Sequence, residues 1–516
     1  MARFNRSFVP KAVAGICAFL VFYRVLSSST CSIVPATSIT SRQYDVIEGA
    51  EPRVVRGVAG QAKWTISIPR NSSFPLRGDQ YAKICHEGQQ ARDDYVQASR
   101  MASVTSLHRA PSYYARDWTY LDVEEAHGAA GLRDAKGTGI CDTSLTFVMD
   151  TQDASFGRTL LLLWMSYGLA KKEGRAFFVD DTRWPYGKYT SFFKPPPAQS
   201  CTAPSAHHIV PYPHQAKHLV VSTATAPWTF GPLFDREFTP RRYDGGRNSK
   251  PLFDLLRKGY EDLFELIGED RNYADDRSLN LRVAADLHHG SVVGMHIRRG
   301  DQHPFEYQFS RDYLPVERYA SAMNDVLDRL VQDKVRTLLH RGNGVAAVVD
   351  FARSPVLLAS DDPDLLSHSD LAHAVSPYKV QRSQERIQMA TKATLDISNP
   401  RRPIREPGSA YVKHVDENAG WEGGFFSALF YSLGAIKRSP GEDTHEVPEP
   451  AMRMRELVGR AYLLDLAVLG KSDGLVCAVS SAACRILGVM MGWDAVAEGR
   501  WVNVDDGRPW SWDGRR

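Results

Sequence analysis

The chain reads as an α/β protein made of two Rossmann-like, doubly wound parallel sheets facing across a cleft. Three observations predict this. Short apolar runs lie at 144–150, 175–181, 292–297, 355–360 and 474–479, longer helical patterns separate them, and polar residues gather where several of the runs stop. A run of Val, Ile, Leu and Met without polar alternation marks a strand covered on both faces, as in parallel sheets flanked by helices. Strand–helix alternation met twice implies two such sheets.

Order begins with the strand pattern at 144–150. A helix over 156–172, rich in leucine at 160–163, and a strand over 175–181 complete a βαβ unit. Residues 192–213 are loop-rich, with Pro195-Pro196-Pro197 as a rigid break. A further strand fits 219–223, and 251–267 reads as an amphipathic helix leading to the second sheet. There strand 292–297 precedes a helix over 316–339 and strand 355–360. The polar stretch 371–418 is given no fold. Helix 451–469, strand 474–479 and helix 481–491 follow.

The N-terminus bears on compartment. Arg3, Arg6 and Lys11 precede the uncharged apolar run 12–23, which Arg24 closes. The positive flank points to the cytoplasm, so the bulk of the chain is expected to be translocated. The run is short, which leaves secretion after signal-peptide cleavage as the alternative. Extended to Phe8 and Leu26, with snorkelling Lys11 and Arg24, it nearly spans a bilayer. The expectation is a single-pass type II protein. It divides into a tail and signal anchor (1–30), a stem and irregular packing region (31–135), an N-terminal α/β domain (136–285) and a C-terminal α/β domain with its tail (286–516). Asn71-Ser72-Ser73 is then a glycosylation sequon in a luminal stem.

Composition excludes some classes. Net charge is +3 over 516 residues and no long basic stripe occurs, so a nucleic-acid partner is not expected. Seven cysteines suit an oxidising lumen. None shows CxxC or Cys/His metal spacing, so no metal site is expected.

Chemistry concentrates at strand ends. In Val292-Val293-Gly294-Met295-His296-Ile297-Arg298-Arg299-Gly300-Asp301 an apolar run stops at one imidazole, two guanidiniums and a carboxylate. Open α/β sheets bind ligands at that end, and paired arginines suit a diphosphate. The bland alternative is an internal ion pair of Arg299 with Asp301. Strand 355–360 ends in Ser360-Asp361-Asp362-Pro363, where helix capping accounts for at least one carboxylate. Ser480 and Ser481 lie between a strand and a helix, as an anion site or a plain N-cap. Asp465 interrupts the apolar series Tyr462-Leu463-Leu464-Asp465-Leu466 and needs a partner, which guanine N1–H and N2–H₂ or a core arginine would supply.

These segments resemble a family. His296-Ile297-Arg298-Arg299-Gly300-Asp301, Ala359-Ser360-Asp361-Asp362-Pro363 and Asp465…Asp473-Gly474-Leu475-Val476-Cys477…Ser480-Ser481…Cys484-Arg485 are similar, in order and spacing, to the three motifs of α1,6-fucosyltransferases. That family includes the animal core fucosyltransferase of N-glycans and rhizobial nodulation-factor enzymes. The resemblance is clear from about 290 to 490, weaker across 140–205, and does not reach the stem.

The resemblance implies a GT-B-like fold and inverting, metal-free transfer of fucose from GDP-fucose to a glycan or glycoprotein acceptor. It also implies a luminal catalytic domain at the Golgi membrane. The donor set it implies is His296, Arg298, Arg299, Asp301, Asp361, Asp362, Asp465, Ser480 and Ser481. Within that set Arg298 matches the arginine that holds the β-phosphate and stabilises departing GDP, Asp465 the guanine-reading carboxylate, and Ser481 a phosphate-contacting serine. Glu306 falls where the family keeps its proposed catalytic base. An inverting transfer needs one carboxylate to take the acceptor proton while cations stabilise the leaving diphosphate. The family pairs the cysteines matching Cys477–Cys484 and shows a bridge placed as Cys141–Cys201, which leaves Cys17, Cys31 and Cys85 outside the scheme.

Departures from the pattern bear on activity and acceptor. Gln302 stands where the family usually has Lys, and the cysteine-rich loop before the first helix is replaced by 151–157. The family's animal members carry a coiled-coil stem and a C-terminal SH3 domain, whereas this chain ends soon after the third motif. Two other readings follow. One is a protein O-fucosyltransferase-like enzyme with a Ser or Thr acceptor. The other is a catalytically degenerate luminal glycan-binding protein, for which Gln302 is the main argument.

Overall fold

The computed structural model describes residues 51–56, 62–101, 112–123, 139–150, 155–241, 247–299, 305–309, 312–340, 353–388, 404–405, 412–413, 420–421 and 449–514. Strands β1 (Glu51–Arg56) and β2 (Ala62–Ser67) pair antiparallel, and helix α1 (Gly78–Met101) follows. The first parallel sheet holds β3 (Ser144–Val148), β4 (Ala176–Asp180) and β5 (His218–Val221) in the order β4-β3-β5. Helix α2 (Phe156–Glu173) joins β3 to β4, and α3 (Lys250–Leu263) and α4 (Gly268–Asp286) lead onward.

The second sheet begins with β6 (Val293–Ile297), crosses over through α5 (Val316–His340) to β7 (Val356–Ser360), and reaches β8 (Val380–Arg382). Three two-residue strands, β9 (Ile404–Arg405), β10 (Val412–Lys413) and β11 (Gly420–Trp421), pair antiparallel in a sheet of their own. Then come α6 (Glu449–Leu469), β12 (Gly474–Cys477), α7 (Ala482–Met491) and β13 (Trp501–Asn503).

The order β13-β12-β6-β7-β8 is parallel throughout. The chain builds outward from β6 through β7 to β8, then returns to the other side of β6 for β12 and β13. The direction of winding therefore reverses between β6 and β12, and that reversal opens a crevice beyond the strands' carboxyl ends. The first sheet reverses in the same way between β3 and β5.

Side-chain alternation shows why both faces of the second sheet are covered. Val293, Met295 and Ile297 pack with Tyr319, Met323, Val326 and Leu327 of α5. Leu357, Ala359, Leu475 and Cys477 turn to the opposite face, against Leu463, Leu464, Ile486 and Leu487 of α6 and α7. That second cluster continues without a break into Leu145, Phe147 and the leucines of α2.

Helix α2 starts at Ser155, whose hydroxyl accepts the Arg158 N–H at 3.3 Å, and stops at Gly174 with φ 68°. Its backbone lies close to α3. A Cβ on Gly168 would come within 2.1 Å of Leu255 O, and one on Gly259 within 2.4 Å of the Trp164 backbone. Only glycine permits that approach.

Two stretches differ from the sequence expectation. Within 31–135, read as stem and irregular packing, the hairpin β1–β2 and the 24-residue α1 are regular elements. Trp64, Ile66, Tyr81, Ile84 and Cys85 are buried. Trp64 stacks on Tyr212 at 6.0 Å, and the Gly78 N–H donates to Asp150 at 3.1 Å. The charged run across 86–94 dilutes the apolar period of α1, so it passes for loop. The helix expected over 251–267 ends at Leu263, and a further helix, α4, begins at Gly268. Of its 19 residues only Ala274, Leu281 and Ala285 are buried. Its place is held partly by charge, with Asp270 accepting two hydrogen bonds from Arg460 at 2.6 and 2.8 Å. Within 371–418, the structure shows the end of helix Ser369–Ala374 and the strands β8, β9 and β10.

Candidate functional site

A cavity of about 730 Å³ lies where the strands of both sheets end. From the second sheet it is lined by His296 of β6 and Arg298 just after it, Ser360 and Asp361 at the end of β7, Arg382 and Gln384 at β8, and Ser480–Ala483 after β12. Tyr462 and Asp465 of α6 and Arg485 of α7 complete that side. From the first sheet come Ser155–Arg158, Tyr186, Phe230 and Asp235, while Trp512 and Asp513 reach in from the C-terminal segment.

Six residues singled out from the sequence thus meet on one cavity: His296, Arg298, Asp361, Asp465, Ser480 and Ser481. They are drawn from segments up to 185 positions apart (481 − 296). Strand register explains half of the convergence. His296 is paired with Ala359 on one side and Cys477 on the other, so the residues that follow each strand leave the sheet side by side.

Arg298 pairs with Asp361 at 3.1 Å, and Asp361 Oδ1 also accepts the Arg299 N–H at 2.7 Å. Burial raises the Asp361 carboxyl, against the pull of Arg298 and of that amide. Burial, reinforced by Arg298, lowers His296 to about 4, so the imidazole is neutral at physiological pH. Asp465 accepts a hydrogen bond from the buried Ser383 hydroxyl. Burial nevertheless lifts this carboxyl to about 7, with Ser383, Arg382 and Gln384 opposing the rise. Ser481 is the N-cap of α7 with no side-chain cap bond. A helix N-terminus flanked by serines suits an anion.

Other expected residues lie elsewhere. The Arg299 guanidinium is 3.5 Å from the fully buried Asp362 and sits over the Tyr313 ring at 5.2 Å. Asp362 Oδ1 also accepts the Asp364 N–H at 3.1 Å, which closes a turn; the helix cap expected of one of the two carboxylates is not formed by either, since the N-cap of the short helix Leu365–Ser367 is Asp364. Neither Arg299 nor Asp362 lines the cavity. Arg299 does form an internal ion pair, with Asp362 as partner; Asp301 and Gln302 fall outside the described residues. Glu306 also stands outside the cavity lining, although its neighbour Phe305 belongs to it. Its carboxylate takes a hydrogen bond from Arg318 at 2.7 Å and one from Gln308 at 2.8 Å. Those two donors hold it below the usual carboxylate range.

The sequence places the start of α2 at 156 but gives it no part in the site. Ser155–Arg158 open onto the cavity, and a Cβ on Gly157 would meet Tyr462 Oη at 2.5 Å and the Ala482 side chain at 3.0 Å. Two helix N-termini, those of α2 and α7, therefore meet beside Tyr462. Arg485 adds a cation there; burial lowers its guanidinium to about 10, and it donates to Trp512 O at 3.0 Å. The N-cap pattern at Ser155 was a usable signal. Nothing in the spacing announced the C-terminal segment.

Both cysteine pairs are in disulfide geometry: Cys141–Cys201 with Cα atoms 5.0 Å apart and Cys477–Cys484 at 5.4 Å. Cys85 is a buried free thiol, raised by desolvation. Cys17, Cys31 and the apolar run 12–23 lie outside the described residues. Among the described residues no helix is long and apolar enough to cross a membrane, and no group of His, Cys, Asp and Glu is gathered as a metal site. Asn71 sits in an exposed turn.

No protein-family profile matches the chain, and no curated protein sequence matches it. Solved structures do. They include NodZ alpha-1,6-fucosyltransferase co-crystallised with GDP, at 13% identity and a TM-score of 0.30, covering 67% of this chain and 91% of that one. The same enzyme soaked with GDP-fucose matches at 13% identity and a TM-score of 0.29, covering 67% and 92%. Fucosyltransferase NodZ from Bradyrhizobium matches at 13% and 0.30, with 67% and 92% covered. At such TM-scores these likenesses carry no argument about the site.

Proposed function

We propose that this chain is an inverting glycosyltransferase of GT-B-like fold that moves fucose from GDP-fucose to a glycan acceptor without needing a metal. One observation carries the reading. Residues from each of the three matching segments, remote in sequence, face one cavity at the point where the second sheet reverses its winding: His296 and Arg298, then Asp361, then Asp465, Ser480 and Ser481.

The chemistry fits the residues. Arg298, Arg485 and the N-termini of α2 and α7 concentrate positive potential where a departing diphosphate must be stabilised, the task a metal performs elsewhere. Arg298, held by Asp361, presents a fork suited to phosphate oxygens. Neutral His296 adds no competing charge. Asp465 in its ionised form accepts N1–H and N2–H₂ of guanine. Glu306 is the base in this reading, and taking the acceptor proton requires it to exchange its Arg318 hydrogen bond for the acceptor hydroxyl. Arg299 and Asp362 act, in this reading, as supports of the Arg298 loop and not as ligands, and Asp301 keeps the donor-contacting role that the resemblance implies.

The proposal extends to location: a luminal enzyme of the Golgi, single-pass type II, anchored through 1–30 and glycosylated at Asn71. The test is direct. The full chain is incubated with GDP-fucose and a mixed glycan pool, and GDP release is followed with and without chelator. Glycan-dependent release that survives chelation supports the reading, and no binding of GDP by calorimetry overturns it. The ion pair between Glu306 and Arg318 favours one second reading, a binder of guanine nucleotides without turnover. That reading predicts GDP binding and no release of GDP from GDP-fucose.

A further inference from the structure

The C-terminal segment after β13 does more than end the sheet. Asp505, 1% exposed, turns its carboxylate toward the loop that carries Phe305 and Glu306. The Phe305 N–H donates to both of its oxygens, at 3.0 and 2.9 Å, and the Glu306 N–H donates to Oδ1 at 3.1 Å. The Asp506 N–H adds a third amide at 3.0 Å. Three backbone donors on one buried carboxylate are strong, charge-assisted and directional, and a buried charge so satisfied is costly to lose. The same corner is tied twice more. Arg318 donates to Glu306 Oε1 and to Val504 O at 3.3 Å, and the Arg508 guanidinium lies 4.3 Å from the centre of the Phe305 ring.

Resting on the reading of Glu306 as the base, we propose that Asp505 is the positioning residue of this site. It fixes the backbone of Phe305 and Glu306 at the rim of the cavity, so that the Glu306 carboxylate has a short, defined path from Arg318 to an acceptor hydroxyl. Asp505 touches no substrate; it acts through two peptide groups 199 and 200 positions away. A loop without this anchor would hold its carboxylate over a wider range of places, and misplacement by about 1 Å costs on the order of 100-fold in rate.

The variant Asp505→Asn keeps volume but sets an NH₂ group against one of the amides, and Asp494→Asn, an exposed carboxylate on the helix Trp493–Ala497, serves as the control. Three readouts are taken on the full chain: amide hydrogen exchange across 305–309, GDP affinity by calorimetry, and turnover with GDP-fucose. Expected for Asp505→Asn are exchange at Phe305 and Glu306 faster by about tenfold or more, GDP affinity within about twofold of wild type, and kcat reduced by about tenfold or more at unchanged donor KM. Asp494→Asn should leave exchange at those two amides unchanged. Unaltered exchange at 305 and 306, unaltered kcat, or a GDP affinity that falls in step with kcat would each overturn the proposal. Exchange is read without substrate, so it still decides on the anchor if the wild-type chain binds no GDP and the fucosyltransfer reading fails.

Discussion

Replacing Asp465 by Asn separates the proposed guanine contact from the general packing of the cavity. The carboxyl sits at about 7 because burial outweighs the hydrogen bond from Ser383 and the nearby Arg382. Only the ionised form accepts two N–H groups of guanine, so apparent affinity scales with the ionised fraction. That fraction is about nine-tenths at pH 8, one-half at pH 7 and one-hundredth at pH 5, so the Kd for GDP should rise roughly tenfold per unit below pH 6. Asp465→Asn should remove this slope. It should also weaken GDP at pH 8 by about 10- to 150-fold, the equivalent of roughly 1.5–3 kcal/mol for a hydrogen bond to a charged group. Folding stability moves the other way. A carboxyl raised in the folded state binds its proton more tightly there, so its contribution is fully present below the unfolded pKa near 4 and is lost as pH climbs to about 7. The ceiling is about 4 kcal/mol at roughly 1.4 per unit, and access to the cavity reduces it to about 1–2. The variant should therefore melt above wild type at pH 8 and with it at pH 4. Calorimetry across pH 5–8 and thermal melts at both ends test this. A flat pH dependence of GDP affinity in wild type, or an unchanged Kd in the variant, would refute the assignment.

The other expectations are shorter. Arg298→Ala and Arg298→Lys should both reduce transfer by at least about 100-fold, because an ammonium cannot replace the fork that Asp361 holds in place; a Lys variant within a few-fold of wild type counts against the role. Glu306→Gln should keep GDP affinity and remove turnover, and normal turnover would place the base elsewhere. Replacing both Cys477 and Cys484 by Ser should weaken GDP binding by about tenfold, since Ser480 and Ser481 lie inside the loop this bridge closes. Affinity equal to wild type in that variant would show that the loop holds its shape without the bridge.

Much of the fold was legible because buried parallel strands announce themselves. Val293–Ile297, Val356–Ser360 and Gly474–Cys477 fall within the apolar runs at 292–297, 355–360 and 474–479, and their polar followers line the cavity. Burial on two faces forces an unbroken apolar run, so the signal is local. Helices fixed by charge leave a fainter trace. In α4 the periodic apolar face shrinks to Ala274, Leu281 and Ala285, while the ion pairs of Asp270 with Arg460 and of Asp275 with Lys471 depend on partners 190 and 196 positions away. No window of the sequence contains both members of such a pair.

The same distinction governs the site. Arg298 and Arg299 are neighbours with the same side chain, yet only Arg298 faces the cavity. What separates them is the backbone leaving β6. It turns Arg298 toward Asp361 at the cavity wall and sends Arg299 behind that wall, to Asp362 and the Tyr313 ring. A motif names the residue types that a strand end supplies, but which of two adjacent side chains meets the cavity is decided by the backbone path and by the carboxylate each one reaches after the next strand. Asp361 and Asp362 repeat the split, one on the cavity and one fully buried. The two adjacent ion pairs tie the ends of β6 and β7 side by side, Arg298 with Asp361 at the cavity wall and Arg299 with Asp362 behind it.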